Sequence, residues 1–233
     1  MIGITVILIV SWVLLFFFQK RNLLALGIVP NKNRAFPAII SFLFAVMICV
    51  AFQFVRSEIN KAEWILSEGF STEGLLNAFL WDIKSVLFEE LIFRGAILFI
   101  LIKRLGWKYA VILSAVAFGV YHWFSFGVFG NIMAMIIVFI GTGLMGWAWA
   151  WAYARSETIL VPIALHLGWN YTFNSIFSNG PLGEIGFVLK TQDQLVEQNQ
   201  FLNMMILMLV PVCMILFIKF FIKKKNLEFS TNS

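Results

Sequence analysis

The chain has 233 residues, of which 61% are hydrophobic and only 12% are charged. Soluble domains carry about 25% charged residues, so a chain this apolar could not cover its own surface in water. The formal net charge of +5 would suit a nucleic-acid partner, but basic residues such as Lys223, Lys224 and Lys225 flank apolar stretches. Such placement is typical of topology signals and of contacts with lipid headgroups. We therefore predict a polytopic membrane domain whose partners include membrane lipids and no nucleic acid.

Seven stretches are apolar enough to cross a bilayer, which takes about 20 residues in a helix. In chain order they are residues 1–18, 35–55, 74–102, 109–128, 132–154, 158–177 and 201–218. The expected fold class is therefore all-α, a polytopic membrane protein with about seven transmembrane helices and with eight as the alternative count.

The loops between these spans alternate in charge. Basic residues dominate the loops after the first and third spans and the chain after the seventh, whereas the loops after the second and sixth spans carry more acidic residues. Under the positive-inside rule, this pattern predicts a multi-pass protein of the cell membrane with its N-terminus outside and its C-terminus in the cytoplasm.

The third predicted span carries charged residues among its apolar ones. Insertion scales assign about +2.5 to +3.5 kcal/mol to a central Asp, Lys or Arg, so deep charges need a reason. A helix turns about 100° per residue, which places Glu90 and Arg94 one turn and about 40° apart, as in an i,i+4 salt bridge. Glu89 lies about 140° from Arg94 around the helix, so we assign the catalytic role to Glu89. The alternative is that all three residues form one inward-facing ionic cluster that joins helices. Asp82 and Lys84 are expected to reach water near the outer end.

The chain's two histidines also lie within predicted spans. His122 ends the stretch FGVYH, and His166 begins HLGWN, so that Asn170 and Asn174 follow it at successive turns. Counted at about 1.5 Å per residue from the charged flanks, Glu89 and His122 lie roughly 21 Å deep, His166 roughly 14 Å and Asn170 roughly 20 Å. Three helices should therefore bring a carboxylate, two imidazoles and a carboxamide into one layer.

This set of side chains suits the hydrolysis of an amide by water. A carboxylate and a histidine can activate a shared water, and a second histidine and an asparagine can donate hydrogen bonds to an oxyanion. Other protease signatures are missing from the sequence, since no HExxH motif occurs and Ser125 has no convincing partner.

Three motifs carry a resemblance to a known family. EELIFR at 89–94, FGVYH at 118–122 and HLGWN at 166–170 resemble the motifs EExxxR, FxxxH and HxxxN of the CPBP family. This family comprises CAAX-protease-like and bacteriocin-processing membrane proteins and is also called Abi. All three motifs match in order, on separate predicted helices.

The resemblance implies an intramembrane glutamic endopeptidase, a hydrolase with an all-helical core. By the resemblance, Glu89 and His122 activate water, and His166 and Asn170 form the oxyanion site. The expected substrate is a hydrophobic or lipidated peptide, and no cofactor is expected.

The same resemblance implies that Glu90 and Arg94 hold the helices together and that Phe118 lines the cavity. The resemblance covers residues 74–177, which we assign to the catalytic core. Residues 1–73 then form N-terminal helices and a loop, and residues 178–233 form a polar loop, the last helix and a basic tail.

Three other functions stay open at this point. The family includes members that act as membrane scaffolds, and intramembrane Glu and His residues also form the proton relays of transporters. A zinc protease is the third, because Glu89, Glu90, His122 and His166 offer N and O ligands. Arg94 beside the carboxylates disfavours a divalent cation.

Small and aromatic residues mark the packing of the fourth and fifth spans. Ala115 and Gly119, like Thr142 and Gly146, are spaced four residues apart, which lets helix backbones approach closely. The stretch WAWAW at 147–151 spreads its rings around the helix, and we expect it to belong to an interfacial aromatic belt.

Overall fold

The computed structural model describes residues 2–190 and 198–224 of the chain. Its helices are α1 (Ile2–Gln19), α2 (Lys32–Asn60), α3 (Thr72–Phe93), α4 (Ala96–Leu105), α5 (Trp107–Ser125), α6 (Ile132–Ser156), α7 (Leu160–Asn170) and α8 (Gln200–Phe221). A 3₁₀ turn (Leu23–Leu26), a π-helical turn (Tyr171–Ile176) and two short strands, β1 (Glu63–Leu66) and β2 (Phe187–Lys190), lie between them. The predicted all-α membrane class is confirmed. Lys225 and residues 191–197 of the polar loop lie outside the described residues.

Four of the described helices are long and apolar enough to cross a membrane, namely α1, α2, α6 and α8. Helices α4 and α7 have 10 and 11 residues and are too short to span a bilayer as single helices. Side chains on the long helices expose large apolar groups, such as Ile132 at 75% and Phe220 at 71% of their surface. Such exposure on a protein surface suits lipid as the solvent.

The third predicted span, 74–102, is wrong as a single helix because the structure divides it between α3 and α4. Arg94 is the C-cap of α3, and Gly95 has the non-helical angles φ −82° and ψ −136°. A Cβ atom at Gly95 would lie 2.1 Å from the carbonyl oxygen of Leu91, so a side chain does not fit there. The depth argument for Glu89 assumed an unbroken helix as far as Lys103, and that assumption fails.

The sixth predicted span also departs from a regular helix. After α7, the chain continues as the π-helical turn Tyr171–Ile176, directly behind Asn170. Single π-helical turns inside helices occur frequently at functional sites. Helix α2 packs along α7, where Gly168 allows the close approach, since a Cβ on it would lie 2.7 Å from the Phe42 carbonyl oxygen.

The described connections lie at two ends of the helix bundle. At the first end, the Ile159 N–H donates to the Leu26 carbonyl at 3.0 Å, and the Arg155 guanidinium donates to carbonyls in the last turn of α8. Trp107 at the start of α5 lines a small cavity of about 100 Å³ there, together with Arg155 and Lys224. At the opposite end, β1 and β2 pair antiparallel, with Glu63 opposite Lys190 and Leu66 opposite Phe187.

Helices α5 and α6 meet through the small residues that the sequence singles out. A Cβ on Gly119 would lie 2.8 Å from the Phe139 ring, and one on Gly146 would lie 3.0 Å from the Phe118 ring and 3.1 Å from the Arg94 guanidinium. A Cβ atom essentially never approaches as closely as at Gly119, and the distances at Gly146 are tighter than most real Cβ contacts, so both glycines favour the close helix contact. The close packing predicted for this pair is confirmed.

Candidate active site

The ion pair that the sequence predicts between Glu90 and Arg94 is present and fully buried. Nη1 of Arg94 lies 3.0 Å from Oε1 of Glu90, with both side chains 0% exposed. Nη2 of Arg94 donates to the Gly146 carbonyl at 2.9 Å, so the guanidinium ties α3 to α6. The Phe118 ring lies 4.3 Å from the guanidinium carbon, within cation–π range. The Arg94 guanidinium therefore contacts three helices: α3 through Glu90, α6 through Gly146 and α5 through Phe118.

Glu90 has a second partner that the sequence analysis missed. Nδ1 of His166 lies 2.9 Å from Oε1 of Glu90. Because a carboxylate paired with arginine can only accept, Nδ1 is the donor in this hydrogen bond. The other ring nitrogen, Nε2, lies 3.9 Å from Oε2 of Glu89. His166 is thus held between the two adjacent glutamates, with Nε2 directed toward Glu89.

The His122 ring is oriented by its own helix. Its Nδ1 lies 2.8 Å from the carbonyl oxygen of Phe118, one turn earlier. A carbonyl oxygen only accepts, so Nδ1 carries the hydrogen and Nε2 of the neutral ring is an acceptor. The Phe118 ring packs against the His122 ring at a centroid distance of 4.4 Å and faces the His166 ring edge-on at 6.1 Å. Phe118 therefore spaces the two imidazoles.

One cavity of about 960 Å³ brings the predicted site together. Glu89 from α3, His122 from α5, and His166 and Asn170 from α7 all line it, as does Phe118. Glu89 keeps 13% of its side-chain surface exposed, whereas Glu90 and Arg94 lie behind the wall with none. The division between an accessible and an inaccessible glutamate agrees with the angular argument from the sequence.

Asp82 does not reach water, contrary to the sequence-based expectation. It is fully buried, and its two carboxylate oxygens accept hydrogen bonds from Asn174 Nδ2 at 3.1 Å and Ser175 Oγ at 2.9 Å. Both donors belong to the π-helical turn behind Asn170, so Asp82 ties α3 to that turn. The residue lies seven positions before Glu89, about 20° away around the helix, and this spacing was the available signal.

Trp149 is also placed differently from the expected aromatic belt. Its ring is 3% exposed and stacks on the His166 ring at 3.9 Å with an interplanar angle of 17°. Gly146 precedes Trp149 by three residues, so both lie on the face of α6 that packs inward. The three-residue spacing from a predicted packing glycine could have identified Trp149 as an inward-facing residue from the sequence. Trp147, two residues earlier, is exposed as expected.

The described residues contain no group of three His, Cys, Asp or Glu side chains arranged to hold a metal ion. Oε1 of Glu90, the oxygen nearest His166, is already shared between Arg94 and that histidine. A metal on this oxygen would have to displace the buried guanidinium or the histidine.

Comparison with known families places this geometry in context. Residues 71–172 match the family described as type II CAAX prenyl endopeptidase Rce1-like. The predicted resemblance to the CPBP family is confirmed over this part of the chain. The CPBP match begins at the N-cap of α3 and ends within the π-helical turn, so it contains every residue of the three motifs. Together with the four long apolar helices, it supports a membrane protein with the fold of a CAAX-type intramembrane protease. No curated protein and no solved structure matches the chain.

Proposed function

We propose that this CPBP-family protein is an intramembrane glutamic endopeptidase that cleaves a hydrophobic or lipidated peptide with an activated water. The observation that carries the proposal is the placement of Glu89, His122, His166 and Asn170 on one cavity inside the helix bundle. Such side chains can supply the general base and the oxyanion donors for the hydrolysis of an amide by water.

In the proposed reaction, Glu89 is the general base. It removes a proton from a water that also donates a hydrogen bond to Nε2 of His122, the acceptor nitrogen left by the bond to Phe118. The water oxygen adds to the peptide carbonyl carbon and forms a tetrahedral oxyanion. Glu89 then transfers its proton to the amide nitrogen as the carbon–nitrogen bond breaks, which releases an amine and a carboxylic acid.

His166 and Asn170 stabilise the oxyanion in this scheme. Asn170 donates through its amide group. His166 already uses Nδ1 toward Glu90, so it donates from Nε2 only when both ring nitrogens carry hydrogen. Glu90, 2.9 Å from Nδ1, and the oxyanion itself supply the negative charge that compensates such a ring, since Glu89 holds the proton of the water at this stage. The Glu90–Arg94 pair and Phe118 position these groups and do not touch the reacting atoms.

The cavity wall supports an apolar substrate. Around the polar cluster, the lining consists largely of aromatic, aliphatic and methionine side chains, including Trp169, Phe173, Met204, Leu207 and Met208. An extended peptide with apolar side chains or a lipid group buries that surface favourably. We further propose that the protein works in the cell membrane, with its N-terminus outside and its basic end in the cytoplasm, and without a cofactor.

The test is cleavage of a panel of lipidated and leader peptides by purified protein in lipid nanodiscs, followed by mass spectrometry. We expect Glu89→Gln to lower kcat by roughly 10²–10⁴-fold, because general-base catalysis contributes about that factor. The thermal unfolding midpoint should stay close to that of the wild type, since Glu89 lacks the arginine contact of Glu90. Undiminished cleavage by Glu89→Gln would remove the assigned base. If the wild-type protein cleaves no peptide, and cellular function tolerates both Glu89→Gln and His122→Ala, the protein is a scaffold and the proposal fails.

A further inference from the structure

The end of the bundle opposite β1 and β2 carries a second, smaller cavity, which the proposed cleavage does not use. Its volume is about 100 Å³, and three segments line it: Trp107 at the start of α5, Trp151, Ala154 and Arg155 in the last turns of α6, and Lys224 beyond α8. No Asp or Glu occurs among the residues described in this lining. Two cationic side chains therefore line a small space whose described wall supplies no negative charge.

Arg155 is held in place by the main chain at the end of α8. Its Nε donates to the Ile222 carbonyl at 3.0 Å, and its Nη2 donates to the Lys219 carbonyl at 3.2 Å. The guanidinium carbon lies 5.3 Å from the centre of the Trp151 ring, within cation–π range. A guanidinium has five N–H donors, and these two hydrogen bonds use two of them. Arg155 can therefore bind an anion in the cavity without giving up its contacts to α8.

The size of the cavity limits what that anion can be. One water molecule takes about 30 Å³ in the liquid, so the cavity holds a group about as large as three waters. A phosphate group is of this size, whereas a peptide segment is not. Arginine binds phosphate oxygens through its planar fork, and the flexible ammonium of Lys224 binds them as a point charge.

The apolar surface of α6 next to the cavity indicates that the phosphate belongs to a lipid. Trp151 and Trp147 precede Arg155 at successive turns, and Leu144 and Ile140 continue the same row. Trp147 is 41% and Ile140 is 47% exposed, and tryptophan is enriched where a protein meets the membrane interface. Ten helical residues cover about 15 Å, half of a hydrocarbon core of about 30 Å. The row is therefore long enough to contact one acyl chain along its length.

We propose that this cavity binds the phosphate of an anionic phospholipid through Arg155 and Lys224, with an acyl chain along the row that contains Trp151 and Trp147. Basic pockets between membrane helices suit lipid headgroups of this charge. The inference goes beyond the proposed peptidase, because this lipid is bound at the other end of the bundle and is not cleaved. A phosphate shared by Arg155 and Lys224 joins α6 to the chain that follows α8.

Native mass spectrometry of the full-length protein in a non-ionic detergent tests the proposal by counting bound lipids. The protein is titrated with phosphatidylglycerol and, separately, with phosphatidylcholine that has the same acyl chains. We expect wild-type protein to bind phosphatidylglycerol about 25-fold more tightly, because each of two basic residues contributes a factor of about five, or about 1 kcal/mol, toward an anionic lipid. Lys224→Gln should reduce this preference to about 5-fold.

Lys223→Gln is the matched control for Lys224→Gln. It removes the same charge from an adjacent exposed lysine that is not among the described lining residues, so the preference should stay within a factor of two of the wild-type value. An unchanged preference in Lys224→Gln, or an equal fall in Lys223→Gln, would overturn the proposal.

Arg155 is tested by two substitutions because it also binds the end of α8. Arg155→Gln should reduce the preference to about 5-fold, as Lys224→Gln does. Arg155→Lys keeps the charge, and we expect it to retain most of the preference even if Arg155→Gln does not fold. A wild-type preference in Arg155→Gln would contradict the assigned phosphate contact.

A competition experiment separates a lipid from a small anion. Glycerophosphoglycerol is the headgroup of phosphatidylglycerol without its acyl chains, and we expect a 100-fold molar excess of it to leave the bound lipid in place. Displacement at that excess would show that the cavity takes small anions from water and would overturn the assignment to a lipid. Glu89→Gln, in the other cavity, should bind phosphatidylglycerol as tightly as the wild type. The lipid site is thus tested independently of peptide cleavage.

Discussion

Oε1 of Glu90 lies 2.9 Å from Nδ1 of His166 and 3.0 Å from Nη1 of Arg94, so one buried oxygen serves both a histidine and an arginine. The first contact orients the imidazole toward Glu89, and the second joins α3 to the guanidinium that binds α6. Glu90 is thus a positioning residue for the site as well as part of the helix packing. This double role separates it from Glu89 and can be tested by substitution.

Glu90→Gln should destabilise the protein. Removing one partner of a buried ion pair leaves Arg94 as an uncompensated charge, at a cost of about 3–5 kcal/mol. Unfolding in detergent, followed by circular dichroism or intrinsic tryptophan fluorescence, measures the change. Glu89→Gln is the matched control, and its free energy of unfolding should change far less. Equal loss from both substitutions would contradict the assignment of the salt bridge to Glu90.

Asp82→Ala should lower both the stability and the activity of the protein. Asn174 and Ser175 would lose their acceptor, and an unsatisfied buried polar group costs about 1–3 kcal/mol. We also expect a reduced kcat, because the π-helical turn that Asp82 holds directly follows Asn170. Peptide cleavage and thermal unfolding are measured together. Lys84→Gln, at an exposed position on the same helix, should change neither quantity. A stable Asp82→Ala protein would show that this cluster does not anchor the turn.

Gly146→Ala should destabilise the contact between α5 and α6. Its Cβ would lie 3.0 Å from the Phe118 ring and 3.1 Å from Nη2 of Arg94, and overpacking of this kind costs about 1–3 kcal/mol. Gly143→Ala is a stringent control on the same helix, since its Cβ would meet the Ala115 carbonyl oxygen at an ordinary 3.7 Å. The thermal midpoint should fall for the first variant and stay near the wild-type value for the second. The reverse order would contradict the packing described here.

Chelators should leave the proposed peptidase active. The mechanism uses Glu89 and His122 to activate water, so treatment with EDTA or 1,10-phenanthroline should not lower kcat/KM. Metal content measured by mass spectrometry on the same sample serves as the control. Loss of activity on chelation, with recovery on adding zinc, would exclude the metal-free mechanism.

Local spacing alone was sufficient to predict several parts of this protein. The positions of six of the seven apolar spans correspond to helical segments because about 20 apolar residues in a row have few alternatives to a membrane helix. The Glu90–Arg94 pair followed from i,i+4 geometry, which any helix imposes. The motifs predicted that Glu89, His122, His166 and Asn170 would meet, and one cavity brings them together. The depth count had the same outcome on a wrong premise, because it assumed an unbroken helix from Glu89 to Lys103.

Tertiary structure decided the features that depend on contacts between distant segments. The break between α3 and α4, the sharing of Glu90 by two partners, the stacking of Trp149 on His166 and the burial of Asp82 each involve residues whose partners lie elsewhere in the chain. Charge, size and periodicity are properties of a segment by itself, whereas these contacts depend on how helices rotate and approach one another. The sequence therefore determined which residues could form the site, whereas the packing of the helices determined which atoms of these residues come into contact.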